Sequence, residues 1–218
     1  MLNRTSLIVL ALAAALAGIF VGFKVFNTAP SSSCPPTEVL QCFATPRPLP
    51  PFDLLRHDGS PLTLDALKGH WTLVFIGFTH CPDVCPTTLA ELRQAQKQWQ
   101  ALPETTRPRV LFVSVDPERD SPAHTGRYAH AFHADTIAAT GDLAALQRFA
   151  RSLSLVFMKQ PPNNPQHPQV YAVDHSAALA VINPDGQMAG VIQPDPQSHS
   201  FDPDKIARDF ILLSQNLP

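Results

Sequence analysis

The run Trp71-Thr72-Leu73-Val74-Phe75-Ile76-Gly77-Phe78 is almost wholly apolar, and it leads into Thr79-His80-Cys81-Pro82-Asp83-Val84-Cys85-Pro86. A strand that is apolar at successive positions has no wet face, so it must lie in a sheet covered on both sides. The two cysteines follow where that strand meets the N-terminus of a helix predicted over Thr87–Leu102. The carboxyl edge of such a sheet is where open α/β folds expose ligand-binding side chains. This one junction restricts the chain to an α/β fold with thiols at the end of a central strand.

The remaining pattern agrees. Val110–Val115 predicts a second buried strand. Ser121-Pro122 reads as an N-cap followed by a first-turn proline, opening a helix that reaches Phe132. Gly141-Asp142 precedes another helix, Leu143–Leu153, and Gln160–Gln169 is a loop rich in Pro and Asn. Ala177–Asn183 and Gln187–Gln193 flank the turn signal Pro184-Asp185-Gly186 and predict a hairpin. Asp202–Ser214 closes the chain as an amphipathic helix. Near the start, Asp58-Gly59 and Leu62-Thr63-Leu64 suggest a short hairpin. Strands alternating with helices give an α/β sheet.

Leu7–Phe23 is an unbroken apolar run between Arg4 and Lys24. With Val25 and Phe26 it reaches the length of a short membrane span, and the Lys24 stem can snorkel. A cleaved signal peptide competes with this reading, because Ala15-Leu16-Ala17 resembles a cleavage site. Cleavage there would leave Gly18–Phe23 as an exposed apolar start, which favours an uncleaved anchor. Either way the rest of the chain is exported. The segment lacks the Arg- and Ser-rich amphipathic character of a mitochondrial presequence, so the bacterial inner membrane and periplasm are the expected setting. The expected organisation is an anchor over 1–26, a Pro- and Ser-rich extended spacer over 27–51, and a folded domain over 52–218. Sixteen Lys and Arg residues against 18 Asp and Glu give a net charge of -2, which argues against a nucleic-acid partner.

Four cysteines in 218 residues do not make a disulfide scaffold and must be read by position. Cys34 and Cys42 lie in the spacer; a local disulfide, an exposed free pair and a second metal site are the three readings, in that order. Cys81 and Cys85 are four apart, which on a helical turn puts their Cβ atoms about 5–6 Å apart on one face. A relaxed disulfide needs about 4 Å, so the spacing suits two sulfurs on one metal. Pro82 and Pro86 could still distort the turn enough to allow a bridge. A helix N-terminus there lowers thiol pKa values and favours thiolate.

Two thiolates leave a metal short of donors, and the candidate third ligand is His175, in Val173-Asp174-His175-Ser176 before the predicted hairpin. Soft thiolates select Cu(I), and two sulfurs with one imidazole suit three-coordinate copper, whereas structural zinc takes four ligands. Spacing alone leaves the bland alternatives open: a plain disulfide at Cys81 and Cys85, and a solvated or structural His175. Asp174 is a candidate to orient His175, with a turn residue as the equal alternative. Asp83 either tunes the charge of the site or caps the helix, and Asp116–Pro122 shapes the rim. His80 is read as facing away from the cysteines. His130, His133 and His167 are read as solvated or remote.

Three ordered motifs add a resemblance. Cys81-Pro82-Asp83-Val84-Cys85-Pro86, Ser114-Val115-Asp116-Pro117-Glu118-Arg119-Asp120-Ser121-Pro122 and Tyr171-Ala172-Val173-Asp174-His175-Ser176 resemble the SCO/SenC family of copper-binding assembly factors. The likeness covers about residues 50–215. It implies a thioredoxin-like fold, a copper ion held by Cys81, Cys85 and His175, and a role in building the copper A centre of cytochrome c oxidase. The partners so implied are the copper-accepting oxidase subunit and other periplasmic copper carriers. Cys34, Cys42 and the Pro-rich loop before His175 depart from the family pattern. The competing function is an exported thiol-disulfide oxidoreductase acting through Cys81 and Cys85, although its usual spacing is Cys-x-x-Cys. A peroxidase on the same fold finds no separate peroxide-activating constellation here.

Overall fold

The computed structural model describes residues 34–162 and 164–215, together with Gly18. The chain divides into the units Met1–Ser33 and Cys34–Pro218. Apart from Gly18, the expected anchor lies outside the described residues. Among the described residues no helix is long and apolar enough to cross a membrane.

Eight strands form one sheet. In chain order they are β1 (Leu40–Pro48), β2 (Leu54–Arg56), β3 (Pro61–Leu62), β4 (Thr72–Gly77), β5 (Arg109–Ser114), β6 (Ile137–Thr140), β9 (Leu179–Ile182) and β10 (Gln187–Ile192). The spatial order is β1-β10-β9-β4-β5-β6-β2-β3. Parallel pairing joins β4 to β5 and β5 to β6; the other neighbours are antiparallel. Two short strands, β7 (Phe157–Lys159) and β8 (Val173–His175), make a separate ribbon. The helices are α1 (Val84–Trp99), α2 (Pro122–Phe132), α3 (Leu143–Ser152) and α4 (Pro203–Gln215).

Strand β4 is buried at every position, as its composition requires. It sits between β5 and β9, at the middle of the sheet. Helix α1 buries Cys85, Leu89, Leu92, Ala95 and Trp99, a stripe at helical spacing. Trp99 meets Phe210 of α4 with ring centroids 5.6 Å apart, and its indole N–H donates to the Ala207 carbonyl at 3.3 Å. Each fully buried side chain of this size contributes about 1.5–3 kcal/mol. Helix α1 starts at Val84 rather than Thr87 because proline is tolerated in the first turn, where no intrahelical N–H is needed. Ser121 caps α2 as expected, accepting from the His124 N–H at 3.3 Å.

The expected spacer over 27–51 is corrected by β1, which pairs antiparallel with β10 along the edge of the sheet. Prolines 46 and 48 concealed it, because proline in a strand is confined to an edge or a bulge. A register shift between Cys42 and Arg47 is the irregularity they impose. Two devices hold the strand. The buried Asp209 carboxylate of α4 accepts the N–H groups of Glu38, Val39 and Leu40 at 2.7–3.0 Å. A Cβ at Gly190 would lie 2.4 Å from the Gln41 carbonyl oxygen, so glycine permits this close approach. Cys34 and Cys42 form a disulfide, the first of the readings above.

Candidate metal centre

The site is assembled at the carboxyl end of β4. Beyond Gly77 the chain turns through Phe78, Thr79 and His80 to Cys81, and α1 begins three residues later. A Cβ at Gly77 would lie 2.6 Å from Cys85 Sγ. Glycine thus lets the first turn of α1 bring its buried sulfur down against the end of the strand.

Cys81, Cys85 and His175 come together, with one donor atom from each lying within 4.8 Å of the others. Both thiols are free; Cys81 is half-buried and Cys85 is buried. The Cys81 sulfur takes the place of a helix cap. The Asp83 side chain makes no cap hydrogen bond, whereas the Cys85 N–H donates to Cys81 Sγ at 3.4 Å. A hydrogen bond from the Cys85 thiol, aided by the backbone N–H groups of Cys85 and Asp83, pulls the Cys81 pKa down to about 5. Cys85 is driven the other way, first by that same hydrogen bond and then by burial. The pair therefore holds one proton, on Cys85, and presents a thiolate at Cys81 near neutral pH.

His175 ends β8, opposite Phe157 in the ribbon. Its Nε2 lies 3.4 Å from Cys85 Sγ, and its Nδ1 lies 3.1 Å from the Ser176 carbonyl oxygen. A carbonyl only accepts, so Nδ1 donates to it, and Nε2 is the ring nitrogen that faces the sulfurs. The rings of Phe75 and Phe78 meet the imidazole edge-on at 5.9 and 6.1 Å. Asp174 does not orient His175: its exposed carboxylate binds the Gln160 side-chain amide instead. Successive residues of a strand point to opposite faces, which separates the two side chains.

The ribbon is tied to the sheet by residues from the second motif. The buried Asp116 carboxylate accepts from the Tyr171 hydroxyl at 2.7 Å and from Arg119 Nε at 2.5 Å. Arg119 lies 3.6 Å over the Tyr171 ring and donates to the Gln169 and Tyr171 carbonyls. Burial, reinforced by Asp116, keeps the Tyr171 phenol protonated. These contacts fasten the end of the Pro-rich loop two residues before β8, and so help fix where His175 stands.

His80 turns from the thiols towards Asp120, as the sequence suggested. His130 is half-buried and bonds the Thr136 carbonyl at 3.1 Å, and His133 is half-buried with its pKa lowered by desolvation; neither is simply solvated. His167 is exposed on the loop. Strand β7, too short to show a period, and the Asp116–Arg119–Tyr171 contacts were missed in the sequence.

A mixed sheet with free cysteines at a helix N-terminus, facing an imidazole from the ribbon before β9, defines a thioredoxin-like domain with a thiol–imidazole cluster. The chain belongs to the SCO1/SenC family, whose model matches residues 44–209. Among its relatives, a putative copper-binding protein of Stutzerimonas stutzeri is 33% identical over 192 residues, covering 87% of each chain. The mitochondrial SCO2 homologue of Mus musculus is 37% identical over 135 residues, covering 62% of this chain and 52% of that one. The chain thus spans about half the length of that mitochondrial relative. The copper-bound crystal structure of ScoI from Arabidopsis thaliana superposes with a TM-score of 0.64 at 30% identity, covering 77% of this chain and 97% of that one.

Proposed function

We propose that this chain is a copper carrier that holds one copper ion through Cys81, Cys85 and His175 and passes it to the copper A subunit of cytochrome c oxidase. The observation that carries the reading is the convergence of two free sulfurs and one imidazole nitrogen within 4.8 Å. The donor set fits the cargo: one sulfur is already thiolate, the second has a single proton to lose, and His175 turns Nε2 to them. Three donors from two separate elements also suit release, since the ribbon can withdraw its imidazole while the sulfurs keep their grip.

In this reading Leu7–Phe23 anchors the chain in the bacterial inner membrane and the folded domain works in the periplasm, where the Cys34–Cys42 disulfide is at home. Val156, Met158 and Val170 stand exposed on the ribbon and its loop, giving a docking partner apolar surface beside His175. A thiol-disulfide reductase is the second reading, favoured by the low pKa of Cys81.

Substituting His175→Ala separates the two. Two thiolates still bind Cu(I), so its affinity falls modestly, by about tenfold. Cu(II) prefers more donors, with nitrogen among them, and loses at least a hundredfold. The rate of disulfide exchange with a model dithiol changes little, because it follows thiolate fraction and access. Unchanged Cu(II) binding together with collapsed exchange would make the reductase the primary function.

A further inference from the structure

The copper-carrier reading accounts for the atoms that meet at the thiol cluster, but not for what holds the cysteine-bearing segment still. Gly77 ends β4 and Val84 begins α1, so residues 78–83 belong to neither ladder nor helix. Both sulfurs are tied to this segment. The Cys81 N–H donates to the Phe78 carbonyl at 3.3 Å, and the Phe78 backbone hydrogen-bonds the Cys85 sulfur. Asp83 supplies no side-chain cap at the helix start.

The segment is anchored at Thr79. Its N–H donates to Asp120 Oδ2 at 2.8 Å and its hydroxyl to Asp120 Oδ1 at 2.6 Å, so both carboxylate oxygens grip one residue. Asp120 is completely buried, and its Oδ2 also accepts from the buried Ser114 hydroxyl at the end of β5, at 2.5 Å. The Thr79 hydroxyl has one proton, given to Asp120, and two lone pairs. These face His80 Nδ1 at 3.1 Å and His124 Nε2 at 3.0 Å, so both rings donate to it. The residue two before Cys81 is thereby bound to the loop after β5 and to the first turn of α2. Hydrogen bonds behind the ligands are what orient the ligands of a metal site.

We propose that Thr79, held by Asp120 and His124, is the positioning residue that keeps Cys81 and Cys85 as an open pair and opposes their closure to a disulfide. The inference deepens the copper-carrier reading and rests on it for the purpose of the open pair. The two sulfurs are free and lie within 4.8 Å of each other, whereas a disulfide draws them to about 2.05 Å with Cβ atoms about 4 Å apart. Closure must therefore move the Cys81 end of the segment or distort the first turn of α1. A clamped segment resists the first route, and a bridge formed under such strain is easier to reduce. The open form is the one that can present thiolates to copper.

The test uses the full-length, metal-free chain equilibrated with mixtures of reduced and oxidised glutathione, so that the copper reading does not enter. One S–S bond forms between Cys81 and Cys85 as glutathione disulfide takes two electrons and splits into two glutathione molecules. Thr79→Val keeps the shape and removes the hydroxyl. It should favour the Cys81–Cys85 bridge at least tenfold, about 30 mV for a two-electron couple, read by alkylation and mass spectrometry of that peptide. Thr79→Ser keeps the hydroxyl and should restore the wild-type equilibrium. Thr140→Val removes another buried hydroxyl nearby, which donates to the Ser114 carbonyl at 3.0 Å, and should leave the equilibrium unchanged. His124→Ala loosens the clamp from outside and should shift the equilibrium about threefold in the same direction. It decides the matter if Thr79→Val does not fold. With Cu(II) added, Thr79→Val should also move the sulfur-to-copper charge-transfer band, and Thr79→Ser should not. A wild type that binds no copper would sink the carrier reading alone, because the glutathione equilibrium judges the clamp without it. Three outcomes overturn the proposal: an unshifted equilibrium in the deciding variant, an equal shift in Thr79→Ser, or an equal shift in Thr140→Val.

Discussion

The two cysteine pairs carry the same chemistry in opposite states. Cys34 and Cys42 are bridged, eight positions apart in sequence and 6.1 Å apart at Cα, across the start of an edge strand. Cys81 and Cys85 are four apart and unbridged, at the first turn of a helix. The difference lies in what the backbone offers the sulfurs. At the helix start, N–H groups stabilise a thiolate on Cys81, and the second thiol hydrogen-bonds to it. In the edge strand the cysteines close a loop over residues whose N–H groups Asp209 also holds. One pair presents a thiolate beside a thiol, the other restricts the chain.

The comparison breaks most visibly under substitution. Cys81→Ser with Cys85→Ser should abolish Cu(I) binding by the full-length chain, measured by competition with a chromogenic chelator. Cys34→Ser with Cys42→Ser should leave stoichiometry and affinity unchanged. Metal lost from the second variant and kept by the first would reverse the roles assigned to the pairs.

Alkylation of the reduced, metal-free chain sharpens the contrast between the two free thiols. Its rate at Cys81 should rise with a midpoint near pH 5 and then level off, as followed by mass spectrometry. Cys85 should stay unmodified until Cys81 has reacted. The sign for stability follows: with the folded pKa of Cys81 depressed from about 9, its contribution is full above pH 9 and lost as pH falls through 5. Cys85, raised, contributes the reverse: fully present below its unfolded pKa and lost as pH rises through the folded one. A Cys81 midpoint above pH 8 would remove the helix-start explanation.

The smallest effect belongs to the bridge. Removing Cys34–Cys42 opens a short loop, and loop-closure entropy puts the cost at about 2–3 kcal/mol in denaturant unfolding. A loss below about 0.5 kcal/mol would mean that Asp209 and the β10 pairing alone hold β1.

Physical signals decide which of these features the sequence displays. The Thr72–Gly77 strand and the α1 stripe are legible because burial imposes composition on consecutive or periodic positions. The meeting of Cys81, Cys85 and His175 is legible because the motif resemblance pairs the helix-start cysteines with the histidine before β9. Strand β1 is hidden because its stability comes from partners about 150 to 170 residues away, Gly190 and Asp209, rather than from its own apolar content. The meeting of His80, Asp120 and His124 at the Thr79 hydroxyl is hidden for a related reason. His80 and His124 are separated by α1, β5 and the loop after it, and only the packing of α2 against β5 and α1 brings them together. Asp174 misled because adjacency in a strand means opposite faces.

The irregular run of β1 has a consequence for the molecule among its own copies. The outermost strands of a sheet present unpaired backbone groups that can recruit another chain edge to edge. Here one border is β1, interrupted by its register shift and carrying Pro46, Arg47 and Pro48. The other is β3, two residues long, of which one is proline. Neither border can template a regular ladder of useful length. A protein crowded against identical neighbours can therefore keep a half-buried thiolate within reach of solvent without polymerising through its sheet.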